Sequence, residues 1–236
     1  MKKILPIFRR EVFAYFYSPV AYIVISVFLV ITGWFFTSEM FLSNESSLRS
    51  VFSIIPFIFI FFVPAITMRL LSEERKSGTI ELLFTMPISD LEIILGKYFA
   101  GLSLLTVALI FTLPFAISIV FLGTPDIGML ITGYLGLILM GASYVAIGIF
   151  ASTVSRNQVV AFIVAFAIIF VLWLINKFLM LIPPPFVPVL QYLSIDYHYE
   201  NIGRGVIDSR DITYYLSLII FMLALAKLSL ESRKWS

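Results

Sequence analysis

The chain has 236 residues, of which 61% are apolar and only 13% charged. Soluble domains carry about 25% charged residues, and a water-soluble fold of this size could not hide so much apolar surface. The net charge of +2 argues against nucleic-acid binding, and zero cysteines with one histidine exclude disulfide frameworks, thiolate metal sites and multi-histidine centres.

In residues 2–18, Ile4, Phe8, Val12 and Tyr15 recur at helical spacing, and Lys2, Lys3, Arg9 and Arg10 supply a cationic face. This pattern predicts a helix lying in the membrane interface, although a plain basic flank would share the composition. Ser18-Pro19 ends it. Six apolar stretches then qualify as membrane spans: 20–36, 51–71, 93–122, 127–151, 159–181 and 214–230. The alternation of a β-barrel is absent, so the fold class is an all-α integral membrane protein. No A-x-A-like site follows the first stretch, which reads as an uncleaved span rather than a leader.

The segment between the second and third spans, EERKSGTIELLFTMPISDLEIILGKY (73–98), opens with four charges. Gly78 interrupts, and 79–85 can form about two helical turns with Ile80, Leu83 and Phe84 on one face. Pro87 ends that piece. Ser89 and Glu92 then form a capping box, with Ile88 and Ile93 as its hydrophobic staple. So short an amphipathic helix is not stable alone and needs a surface: the membrane, its own bundle or a partner protein. A simple interfacial turn fits the composition equally. A continuous third helix from Ser89 to Leu122 would reach about 50 Å, longer than the bilayer core of about 30 Å, and Pro114 should kink it.

Pro183, Pro184, Pro185 and Pro188 stop the fifth span and open a segment that runs to Asp211. Asp196, His198 and Glu200 alternate within it; a strand would put them on one face as a metal trio, whereas a helix would not. Orientation follows from basic residues near span ends. Lys2, Lys3, Arg9, Arg10, Arg69, Arg75, Lys76, Lys97, Arg156, Lys227, Arg233 and Lys234 fall on one side; only Arg49, Lys177, Arg204 and Arg210 fall on the other. The first side is expected to be cytoplasmic, with both termini on it. No acidic residue lies well inside a span, Lys97 and Lys177 sit near ends where they can snorkel, and there is no P-loop. This argues against proton-driven pumps and against ATP binding by the chain itself.

Three stretches carry a family resemblance: MRLLSEERKSGTIELLFTMPISDLEIILGKY (68–98), YHYENIGRGVIDSRDITYYLSL (197–218) and LESRKW (230–235). With them the chain resembles a permease subunit of the ABC type-2 exporters, most of all the gliding-motility (Gld-type) branch, itself similar to the Nos-type copper-processing permeases. The resemblance implies one transmembrane domain over 1–236. Within it, 1–18 is an interfacial elbow helix, 20–71 hold spans one and two, and 73–90 hold a coupling helix. Spans three to five occupy 91–182, an extracytoplasmic helical segment 183–211, and span six with a cytoplasmic tail 212–236.

The resemblance further implies ATPase-coupling residues Glu74, Gly78, Thr79, Ile80, Glu81, Leu83, Phe84, Met86 and Pro87, with Arg156 in a second contact turn, 152–158. The expected partners are two ABC ATPase subunits, a second permease forming a homodimer or heterodimer, and membrane lipids. No cofactor is expected on this chain, since ATP and Mg would bind the ATPase, and no catalytic or metal residues are expected either. The location is the cell (inner or cytoplasmic) membrane. The alternatives are an ATP-driven energy transmitter or anchor for an extracytoplasmic partner with no cargo crossing, a stand-alone secondary transporter or channel, and, weakest, an intramembrane enzyme.

Overall fold

The computed structural model describes residues 3–43, 48–79, 88–122 and 126–232. All regular structure among them is helical, and six helical stretches are long and apolar enough to cross a membrane. Helix α1 (Ile4–Tyr17) precedes α2 (Pro19–Ser43), the first span. The second span is α3 (Arg49–Thr67) continued by α4 (Arg69–Lys76). The third is α5 (Asp90–Ile110) with α6 (Leu113–Leu122), the fourth α7 (Ile127–Val154) and the fifth α8 (Gln158–Phe178). Two 3₁₀ turns and the short helices α9 (Val187–Leu193) and α10 (Ile195–Gly203) lead into α11 (Ser209–Glu231), the sixth span.

Span four is the axis of the bundle, and α3, α5, α8, α10 and α11 all pack against it. Its composition explains why. Gly133, Gly141 and Gly148 recur about two turns apart, and a Cβ at each would lie 2.4 Å from Phe52, 2.6 Å from Leu105 and 2.0 Å from Thr67 Oγ1 respectively. Side chains of spans two and three therefore fill the space the glycines leave, the close approach expected of small residues in membrane helices. Gly96 does the same for α1, because Ile7 Cγ2 sits 2.7 Å from where its Cβ would be.

Local rules set the boundaries. Ser89 Oγ accepts from Glu92 N while Ser89 N donates to Glu92 Oε2 at 3.2 Å, so the expected capping box starts α5. The third span is not one continuous rod: it breaks at Phe111–Thr112, ahead of Pro114, which has no N–H to offer the carbonyl of Ile110. Thr112 Oγ1 turns back to Leu109 O at 2.7 Å and meets Tyr134 Oη at 3.1 Å. Along span five, Phe162, Phe166, Phe170 and Trp173 stack in sequence, and Phe57 and Phe61 of span two meet them from the side.

Candidate functional site

The end of the bundle holding α1, α4 and the starts of α5 and α8 carries most of the described basic residues and is called the basic face below. Helix α1 lies on it with Ile4, Ile7, Phe8, Val12 and Tyr15 turned inward and Leu5, Arg9 and Phe13 outward. The Tyr15 hydroxyl donates to Ile66 O at 2.6 Å, tying α1 to the end of α3, and burial raises its pKa. One turn earlier on α1, Glu11 enters a charged knot. Lys97 Nζ of α5 lies 2.9 Å from Glu11 Oε1, 3.0 Å from Glu74 Oε2 of α4 and 2.6 Å from Leu70 O. Arg10 bonds both Glu11, at 2.8 Å, and Glu74.

Lys97 is only 1% exposed. The expectation that it snorkels is therefore corrected: α1 folds over it, and two carboxylates supply the partners that water would have given. Burial pushes the Glu11 carboxyl up, but Lys97 and Arg10 outweigh burial and hold it below the ordinary value. A cleft of about 170 Å³ opens beside the knot between Arg10, Tyr15, Arg69, Glu73 and Glu74.

A second junction ties span four to span two. The Ser152 hydroxyl accepts from Leu71 N at 2.9 Å and Ser72 N at 3.0 Å, and donates to Met68 O at 3.1 Å. Leu71 N is among the first amides of α4, which have no carbonyl one turn back in their own helix, and Ser152 supplies the acceptor. The Arg75 guanidinium donates to Thr153 O. Just beyond, α4 ends at Gly78 with φ +74°, a left-handed conformation that favours glycine. Thr79 Oγ1 lies 2.9 Å from Ser77 Oγ. The turn into α8 exposes Arg156, and Asn157 Oδ1 caps α8 by accepting from Val159 N at 2.9 Å.

The opposite face is closed by α9 and α10. Asp196 and Glu200, one turn apart on α10, face α8: Asn176 Nδ2 donates to Asp196 at 3.0 Å, and Lys177 Nζ lies 2.7 Å from Asp196 and 3.4 Å from Glu200. His198 points elsewhere, with Nδ1 2.6 Å from Asp211 Oδ1 of α11 and its ring stacked 4.0 Å from Tyr214. Residues 195–203 being helical, the alternating trio does not converge, and no cluster able to hold a metal is found among the described residues. The Tyr199 hydroxyl donates to Phe52 O at 2.9 Å, joining this cap to span two.

The profile described as ABC-2 family transporter protein matches residues 25–230. The chain belongs to the ABC-2 family. The protein is thus a multi-pass membrane permease component of an ABC transporter, and membership implies an ATPase partner and often a second permease. No curated protein matches it.

Of the residues expected to couple the permease to an ATPase, Glu74 lies in the knot, Gly78 and Thr79 at the exit of α4, and Arg156 on the exposed turn after α7. Ile80, Glu81, Leu83, Phe84, Met86 and Pro87 lie outside the described residues. Sequence reasoning missed Glu11, Arg75 and the clasp made by Ser152. The available signal for Glu11 was its place on α1, one turn from Tyr15 on the inward face.

Proposed function

We propose that the permease couples to a separate ABC ATPase through two neighbouring elements on its basic face, the segment leaving α4 at Gly78 and the 155–158 turn. The observation that carries this reading is the clasp between them: Ser152 holds Leu71 and Ser72, and Arg75 holds Thr153, so the two contacts move together. Twelve of the sixteen basic residues fall on this face by sequence, which supports placing it and both termini in the cytoplasm, in a cell (inner) membrane.

The knot at Lys97 then links any displacement of α4 to α1 and to span three. Two permeases and two ATPases form the complete machine. ATP-driven closure of the ATPases shifts the Ile80–Phe84 segments, and the interface between permeases opens on the far side. The assignment to the Gld-type and Nos-type branch rests on the sequence resemblance of 68–98, 197–218 and 230–235 and remains part of this proposal.

The test is detergent co-purification with the cognate ATPase. Glu81→Lys and Phe84→Ala are expected to lose the complex while the spans remain folded; undiminished recovery counts against the docking surface. Transport by proteoliposomes containing the permease and no ATPase would instead support a stand-alone transporter.

A further inference from the structure

Helix α1 is fastened to span three along one edge only. On that edge Ile7 fills the space left at Gly96, and Glu11 meets Lys97 at 2.9 Å. Along the other edge the two helices part. A groove of about 660 Å³ lies there between Leu5 and Phe8 of α1 and Phe99, Leu102 and Val107 of α5. Leu5 and Phe99 are exposed. From Phe99 to Val107 the groove follows about 12 Å of helix at 1.5 Å per residue. It starts beside α1 and runs along the span toward the bilayer core.

The groove offers an occupant no free donor. Its two hydroxyls donate inside α5, Ser103 Oγ to Ala100 O at 2.7 Å and Thr106 Oγ1 to Leu102 O at 2.8 Å, and no charged side chain lines it. Such a surface suits a hydrocarbon chain, which loses no hydrogen bond on entering. At the α1 end the chemistry changes. Arg9 follows Leu5 by one turn, is exposed, and pairs with no carboxylate among the described residues. The other cations nearby are taken: Arg10 and Lys97 by Glu11 and Glu74, and Arg69 by Glu73. Helical side chains lean over the preceding turn, which carries the Arg9 charge toward Leu5 and the groove.

We infer that this groove binds one anionic glycerophospholipid, with an acyl chain between α1 and α5 and the phosphate paired with Arg9. The trough alone would accept the chain of any lipid; the guanidinium at its end selects headgroup charge. A zwitterionic headgroup carries its own cation beside the phosphate and gains less. The bound lipid packs against the free edge of α1 and closes it onto span three, opposite the Glu11–Lys97 contact. The site does not depend on how the ATPase docks.

Native mass spectrometry of the full chain in detergent tests this, by titration with phosphatidylglycerol or with phosphatidylcholine of identical acyl chains. The first phosphatidylglycerol is expected to bind about fivefold tighter than the first phosphatidylcholine, the scale of one basic residue at an anionic surface. Arg9→Gln should abolish that preference and keep the weaker binding of both lipids. Lys76→Gln removes an exposed cation of α4 on the same face and should keep the preference. Ser103→Phe fills the groove and should lose the first bound lipid of either kind, while gel filtration shows the chain still folded. A second copy of the chain is the competing occupant. Because the chain has no cysteine, oxidation of a Leu102→Cys variant reports on it directly, and no cross-linked dimer is expected. Equal affinity for the two lipids in the unaltered chain overturns the inference. So does an equal loss of preference with Lys76→Gln, unchanged binding by folded Ser103→Phe, or a disulfide-linked Leu102→Cys dimer.

Discussion

Lys97 and Glu11, 86 residues apart in sequence, meet at 2.9 Å where α1 crosses the start of span three. The contact makes α1 part of the bundle. Lys97→Met removes the cation facing Glu11 and Glu74 and should destabilise the protein by about 3 kcal/mol, the scale of breaking a buried pair by deleting one partner. Thermal unfolding in detergent measures this. Adding Glu11→Gln should recover part of the loss, and an additive double variant would show that the two side chains are not coupled.

The same pair sets an acid limit. Burial raises the Glu11 pKa, but Lys97 and Arg10 reverse that and hold it below the ordinary 4.5. A carboxyl held low in the folded state contributes fully above its ordinary value and less as pH falls through its folded value. The docking of α1 should therefore weaken on acidification below 4.5, and not in mild base. Proteolysis near Arg9 and Arg10 across this range checks it, and Glu11→Gln should remove the dependence.

Ser152→Ala deletes the oxygen that receives Leu71 N and Ser72 N. Stranding the buried Leu71 amide should cost about 1–3 kcal/mol. The more telling readout is hydrogen exchange: residues 68–76 should lose protection while α8 retains its own. Unchanged protection at Leu71 and Ser72 would show that the clasp does not hold α4.

Gly148→Ala places a Cβ 2.0 Å from Thr67 Oγ1 and 2.7 Å from its Cβ. The clash is with the β-branched Thr67 side chain, whose Cβ moves only with its helix, so about 1–3 kcal/mol of overpacking is expected. A lowered thermal midpoint checks it. Thr67→Ala in the same chain should relieve part of the strain.

What the sequence displayed was local or periodic. Six apolar runs, the Ser89–Glu92 box and the interruption near Pro114 can each be read within a few residues, and the structure contains all three. The Glu11–Lys97 and Ser152–Leu71 junctions were not legible, because each joins residues about eighty or more positions apart whose neighbours give no hint of the partner. Lys97 illustrates the difficulty: in isolation a lysine near a span end reads as an interfacial anchor, and only the overlying α1 makes it buried. Asp196, His198 and Glu200 alternate in sequence, but the helix sends two toward α8 and one toward α11. The elements that fix Gly78 and Arg156 are placed, whereas Ile80 to Pro87 fall outside the described residues.

The two-residue interruption at Phe111–Thr112 gives the third crossing a knee. Below it, α5 is fastened to Lys97 and its carboxylates; above it, α6 begins afresh at Leu113. A tilt imposed on the shin need not swing the thigh, because no continuous ladder of backbone hydrogen bonds stiffens the joint. The third crossing is thus free to hinge at Phe111–Thr112, and the unbroken helix beside it is the glycine-lined fourth crossing.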